Sequence, residues 1–168
     1  MPGDTKNPEA HRIITVPALG RMRLRAGPAG LRAIDLDRVP ASSATPQPHP
    51  HLDAAEAALR AYADGRSAPL PALDLAGLTP WQRQVVLALA AIPFGTRVTY
   101  GELARRLGRP QAARAIGGAC GRNPVPILLP CHRVVAANGL GGFSGGAGWK
   151  ERLLAHEARH SCIDSMGP

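Results

Sequence analysis

A chain of 168 residues, 45% of them hydrophobic and with a net charge of +8, can bury a core without a disulfide or a structural metal, and has room for one large domain or two small ones. No run reaches the ~18 consecutive apolar residues of a membrane span, and the opening MPGDTKNPEAHR lacks an apolar signal core, so neither secretion nor membrane insertion is expected. Cys120, Cys131 and Cys162 form neither a disulfide framework nor a CxxC ligand pair, which predicts a reducing, cytoplasmic setting.

The charge is unevenly placed. Residues 78–157 carry ten basic and three acidic side chains, residues 1–77 nine and eight. A one-sided positive field suits a polyanion; the same Arg-rich composition also serves solubility.

Residues 13–36 break into short apolar runs between Gly and Pro, which predicts a small β-meander. ASSATPQPHPH (41–51) has no periodicity and predicts a flexible loop over about 40–51. There His49 and His51 read as solvated residues in preference to metal ligands. Leu52, Ala55, Leu59 and Tyr62 recur at helical spacing, so a small N-terminal α/β domain is expected over 1–77, closed by the proline-rich 67–77. Thr79-Pro80-Trp81-Gln82 has an N-cap, a first-turn proline and a capping-box glutamine; the apolar face behind it is Trp81, Val85, Ala88, Leu89 and Ile92. Thr99 to Glu102 is a second capping box, with Gly108 as the stop. Pro110 is expected to open a third helix after a connection of two or three residues, making GELARRLG and PQAARAIGGACG a helix-turn-helix. Its second helix is almost free of side-chain bulk despite two adjacent glycines that cost roughly 2 kcal/mol of helix propensity. Either a neighbouring helix or a nucleic-acid groove approaches it closely, and Arg114 is its one long side chain.

NPVPILLPCHRVV (123–135) places a strand-like run, Val125 to Leu129, before Cys131, His132 and Arg133. A thiol attacks as thiolate, and a neighbouring imidazole or cation lowers its pKa. Adjacent residues point apart on regular elements, so a water is expected to bridge Cys131 and His132. The imidazole then needs an orienting acid. Glu157, which closes the helix-like run WKERLLAHE, is one of three acids after Glu102.

PCHRVV, with RAIGGACGRNPVPILL before it and GLGGFSGGAGWKERLLAHE after it, resembles the O6-alkylguanine-DNA alkyltransferases, or methylated-DNA–protein-cysteine methyltransferases. The match is close over about 79–157 and looser before it. The resemblance implies an α+β fold: a short sheet plus helix, then a mostly helical domain over 78–157 that binds DNA and holds the active site, with 158–168 a mobile tail. It implies stoichiometric, irreversible transfer of an alkyl group from O6-alkylguanine, and less readily from O4-alkylthymine, in double-stranded DNA to Cys131. His132 is implied as the base, Glu157 as its carboxylate, Asn123 as the brace of the preceding turn and Tyr100 as proton donor to the guanine. Arg114 is implied as the finger that replaces a flipped nucleotide in the minor groove, with Ala113, Gly117, Gly118 and Arg133 as further DNA contacts. Val134, Val135, Pro126, Gly141, Phe143 and Ser144 are implied as the pocket; Phe143 departs from the tyrosine frequent there and leaves only apolar packing. No cofactor and no metal are implied, and a monomer is expected. The alternatives are a lesion-binding or regulatory helix-turn-helix protein without transfer, and a thiol hydrolase using Cys131, His132 and Glu157. Cys120 and Cys162 read as a packed small residue and a tail thiol.

Overall fold

Short runs punctuated by glycine fold as an antiparallel meander: β1 (Ala10–Val16), β2 (Gly20–Gly27) and β3 (Gly30–Asp35). The computed structural model describes residues 9–36, 39, 48–146 and 148–164. Val16 faces Gly20 and Ile14 faces Met22 in the first hairpin, and a bulge between Arg25 and Ala26 adjusts the second. Period-two alternation buries Met22, Leu24 and Ala26 on one face. On the other, Arg23 and Arg25 share Asp35.

Helix α1 (Pro50–Ala63) lays Leu52, Ala55, Leu59 and Tyr62 on that sheet. It starts earlier than expected because Pro50 fits the first turn, where no amide is needed. His49 is therefore its N-cap, and His51 lies within the helix with Nε2 3.1 Å from the Pro28 carbonyl. The rest of the expected loop, 40–47, lies outside the described residues.

Both capping boxes form as read, opening α2 (Pro80–Leu89) and α3 (Tyr100–Arg106). Val85, Val86 and Leu89 bury the inner face of α2, with Trp81 and Ala88 half-buried at its margin. Gly108, at φ +70°, ends α3 in the left-handed conformation that glycine adopts without strain. Helix α4 (Ala113–Cys120) starts later than Pro110. The Ala112 amide donates to the Arg109 carbonyl in a turn, and helical bonding begins with Ile116 N–H to Ala112 O, so the connection is longer than two or three residues. A two-stranded parallel pair, β4 (Val98–Thr99) and β5 (Val134–Val135), ties the start of α3 to the segment after Cys131.

Helix α5 (Trp149–Asp164) does not end at Glu157. Residues 158–164, expected in a tail, continue it: Ser161 Oγ donates to the Glu157 carbonyl at 2.9 Å and His160 Nδ1 lies 3.0 Å from that of His156. Gly65 and Gly95 leave the space that His160 and Ser161 fill. The side chain of Cys162 and residues 165–168 lie outside the described residues. One buried cluster runs from Ile14 and Leu24 through Leu59 and Leu89 to Leu129 and Leu153, joining the two halves of the chain.

Candidate active site

The approach to Cys131 is a turn and not the expected strand. Pro124 and Pro126 deny amides to a ladder, and Asn123 organises what remains. Its Nδ2 donates to Leu129 O at 2.7 Å, and its Oδ1 accepts from Val125 N–H at 3.1 Å. Ile127 is held at φ +74°, a strained conformation for a β-branched side chain that persists where its surroundings over-determine it. Asn123→Ala removes both bonds from a buried side chain and strands their partners. It is expected to lower unfolding stability by roughly 2–4 kcal/mol, measured by urea denaturation.

The chain then makes a single 3₁₀ turn, Cys131–Arg133, with all three side chains buried. That turn sends His132 and Arg133 together into Glu157 of α5. His132 Nε2 is 2.6 Å from Glu157 Oε1, while Arg133 Nε lies 3.0 Å from both carboxylate oxygens and its Nη1 donates to the Ile92 carbonyl. The Gly95 amide donates to Oε2 at 2.9 Å, and the Tyr62 hydroxyl to Oε1 at 2.8 Å. Burial pushes the Glu157 pKa up, but the hydrogen bonds from His132 and Arg133 and the Arg133 charge outweigh it and hold it at about 2. Burial lowers the His132 pKa against the pull of Glu157, so the resting imidazole is neutral. Its Nδ1 is buried with no partner among the described residues. With Nε2 donating to the carboxylate, Nδ1 carries the lone pair that can accept a proton.

Cys131 is 3% exposed. Burial raises its pKa, opposed by a hydrogen bond from Asn123 and by the charge of Lys150. The imidazole and cation therefore do not leave a resting thiolate, as their adjacency in sequence suggests; desolvation wins, and the thiolate must be formed as the base accepts its proton. Lys150 was not singled out from the sequence. It is buried, with Nζ donating to Val134 O at 2.7 Å and Gly142 O at 3.1 Å, 5.7 Å from the Tyr100 ring centroid. It thus pins the loop after residue 140 to the strand that follows Cys131.

A cavity of about 490 Å³ opens beside the thiol, lined by Tyr100, Ala113, Arg114, Gly117, Cys120, Gly121, Cys131, Gly142, Phe143 and Ser144. That volume lies within the ~300–1,000 Å³ of small-molecule sites. Tyr100 is half-buried; burial foremost, then the charges of Cys120 and Cys131, raise its pKa, so it stays protonated. Its hydroxyl sits where a side chain at Gly141 would project, and Gly141 holds φ +72°. Arg114 and Gly118 are exposed on α4, with Ala113 and Gly117 half-buried beside them. Cys120 is buried on the same wall as Cys131, and burial pushes its pKa up to about 12.

The structure thus brings Cys131, Tyr100, Arg114, Ala113, Gly117, Phe143 and Ser144 to one cavity. Val134, Val135, Pro126 and Gly141 are not among its lining residues: Pro126 and Val134 are buried, Val135 is half-buried in β5 and Gly141 packs on Tyr100. Arg133, expected as a DNA contact, points inward in this structure. It is 7% exposed and spent on Glu157 and Ile92, because the 3₁₀ turn directs it inward. Among the exposed cations of this half, Arg105 and Arg106 lie on α3 beside Arg114 on α4, Arg109 stacks its guanidinium 4.9 Å from the Trp81 ring centroid, and Arg122 follows α4.

Residues 80–159 match the family described as 6-O-methylguanine DNA methyltransferase, DNA binding domain. The human methylated-DNA–protein-cysteine methyltransferase is 42% identical over 149 residues, covering 82% of this chain and 70% of that protein. The Salmonella typhimurium protein of the same name is 53% identical over 98 residues; that match spans 57% of each chain, little more than half the relative's length. The crystal structure of Mycobacterium tuberculosis OGT in complex with DNA superposes with a TM-score of 0.74 at 37% identity, over 89% of this chain and 93% of that one. The M. tuberculosis O6-methylguanine methyltransferase does so with 0.76 at 35%, over 91% and 94%.

Proposed function

This chain belongs to the methylated-DNA–protein-cysteine methyltransferase family, and from that premise we propose that it repairs O6-alkylguanine, and less readily O4-alkylthymine, in double-stranded DNA by moving the alkyl group irreversibly to Cys131. The observation that carries the reading is a buried thiol facing a purine-sized cavity whose rim is the arginine-bearing face of α4, with a proton acceptor and its carboxylate packed behind. The O6 group of a stacked base cannot reach a sulfur held in such a wall, so the nucleotide must swing out of the helix. Unstacking costs a few kcal/mol, least for a lesion that already pairs badly. The small residues of α4 let its backbone lie in the minor groove, and Arg114 fills the gap the nucleotide leaves. The exposed arginines of α3 and the segments beside it neutralise phosphates.

In the transfer step the Cys131 proton passes to Nδ1 of His132 through a bridging water, and the imidazolium is stabilised by Glu157. A sulfur–carbon bond forms as the carbon–O6 bond breaks. Tyr100 gives its proton to the departing guanine ring, which leaves neutral; the phenolate then regains a proton from solvent as the imidazolium releases its own. Because the thioether cannot be hydrolysed by these residues, each molecule acts once and needs no cofactor. A nucleophile that must stay reduced suits the cytoplasm, where we place its action, as a monomer.

Incubating the protein with a duplex carrying one O6-methylguanine is expected to restore one guanine per protein molecule, and Cys131→Ser to bind the duplex but restore none. Many restored guanines per molecule, or repair by Cys131→Ser, would overturn the proposal. Lesion binding with no repair by the parent protein would favour the binding-module alternative.

A further inference from the structure

Tyr62 closes the buried face of α1, far in sequence from Cys131, His132 and Glu157, and periodicity reads it only as an apolar position. In the structure its hydroxyl donates to Glu157 Oε1 at 2.8 Å and lies 3.3 Å from His132 Nε2. Its ring meets Phe94 edge-on at 5.5 Å between centroids and His132 at 6.2 Å. Its carbonyl is 3.1 Å from His156 Nε2. The side chain is thereby fixed from several directions.

Behind the relay lies a second cavity of about 650 Å³, whose wall includes Tyr62, Phe94, Arg133 and Ser161. His132 and Glu157, 0% and 1% exposed, do not line it. Tyr62 and Arg133 therefore separate the carboxylate from that space. A phenol has one proton to give. With Glu157 ionised, that proton goes to Oε1, which is also the acceptor of the 2.6 Å bond to His132 Nε2. An ionised oxygen can only accept, so that bond keeps the imidazole hydrogen on Nε2 and the lone pair at Nδ1, and the Tyr62 hydroxyl, donating to the same oxygen, holds the acceptor in place.

We propose that Tyr62 is a positioning residue for alkyl transfer, supplied by the N-terminal half: it fixes Glu157 as the acceptor that orients His132 and closes the relay against the rear cavity. The proposal rests on the repair reading. It makes the N-terminal sheet-and-helix unit part of the active site, since α1 is held by the strands beneath it.

The test uses the full chain. Tyr62→Phe keeps the ring and removes only the hydroxyl. Methyl transfer from an O6-methylguanine duplex is expected to slow about tenfold, and the acid limb of Cys131 alkylation by iodoacetamide to move upward by about half a pH unit or more, because Glu157 loses a donor that favours its anion. An unchanged rate with an unchanged acid limb, whether or not the melting temperature falls, would overturn the proposal and leave Tyr62 a packing residue. Independently of any variant, nitrogen NMR of the parent protein is expected to show the His132 hydrogen on Nε2; a hydrogen on Nδ1 in the neutral ring contradicts the assignment. If the parent protein transfers no methyl group, the repair reading fails, while the iodoacetamide profile of Tyr62→Phe still judges Tyr62.

Discussion

Glu157→Gln is expected to remove most of the repair rate and a large part of the stability together. The carboxylate collects donors from His132, Arg133, Gly95 and Tyr62 in a site that is 1% exposed. A neutral amide of the same shape leaves the Arg133 guanidinium without its counter-charge, and breaking a buried pair in this way costs about 3–5 kcal/mol. The amide also withdraws the anion that stabilises the imidazolium during proton transfer, for which a loss of about a hundredfold in methyl-transfer rate is expected. The pH dependence follows from the same group. A carboxyl held at about 2 when folded and near 4 when unfolded contributes stability that is full above the unfolded value and drains away as pH falls toward 2. The loss is on the order of 3 kcal/mol. Urea unfolding between pH 2 and 6 is expected to show that slope in the parent protein and a flatter curve in the Gln variant. Equal slopes and equal transfer rates in the two proteins would take Glu157 out of the relay.

Arg114→Ala is expected to separate binding from chemistry. Arg114 is exposed and at the rim of the Cys131 cavity, so its truncation leaves the fold within about 0.5 kcal/mol of the parent. Repair in duplex DNA is expected to fall about a hundredfold, because the extruded nucleotide loses the side chain that holds its place in the stack. Reaction with the free alkylated base, which needs no extrusion, is expected to change less than about twofold. Parallel losses on both substrates would show that Arg114 acts on the cavity itself and not on flipping. Rate measurements on the two substrates at one ionic strength are essential, since phosphate contacts are salt-dependent.

Local chemistry was readable in the sequence where a few adjacent residues decide the outcome. Thr79 with Gln82 and Thr99 with Glu102 set two helix starts, and glycine spacing marked the meander. The nucleophile, its neighbour and the distant Glu157 came from combining thiol chemistry with the family resemblance. What was missed depends on direction and on partners remote in the chain. An arginine next to a nucleophile looks the same whether it faces a phosphate or a buried carboxylate; only the 3₁₀ turn at Cys131 decides for Arg133. Lys150 sits in a run, WKERL, that reads as a solvated helix face, and its two carbonyl acceptors lie apart, Val134 on β5 and Gly142 in the loop after it. The apolar run before Cys131 has strand composition, yet its prolines and the Asn123 bracket turn it and force Ile127 to positive φ. Residues 158–164 carry no apolar periodicity of their own, and remain helical through bonds back to the preceding turn and the room left at Gly65 and Gly95.

The cavity beside Cys131 also contains a second buried thiol, Cys120, so locating the transferred group is the sharpest available check. Intact mass and peptide mapping after reaction with an O6-methylguanine duplex under reducing conditions are expected to show one added methyl group per chain, on the peptide containing Cys131 and absent from that containing Cys120. A methyl group on Cys120, or an unmodified Cys131 in a sample whose DNA has been restored to guanine, would contradict the account.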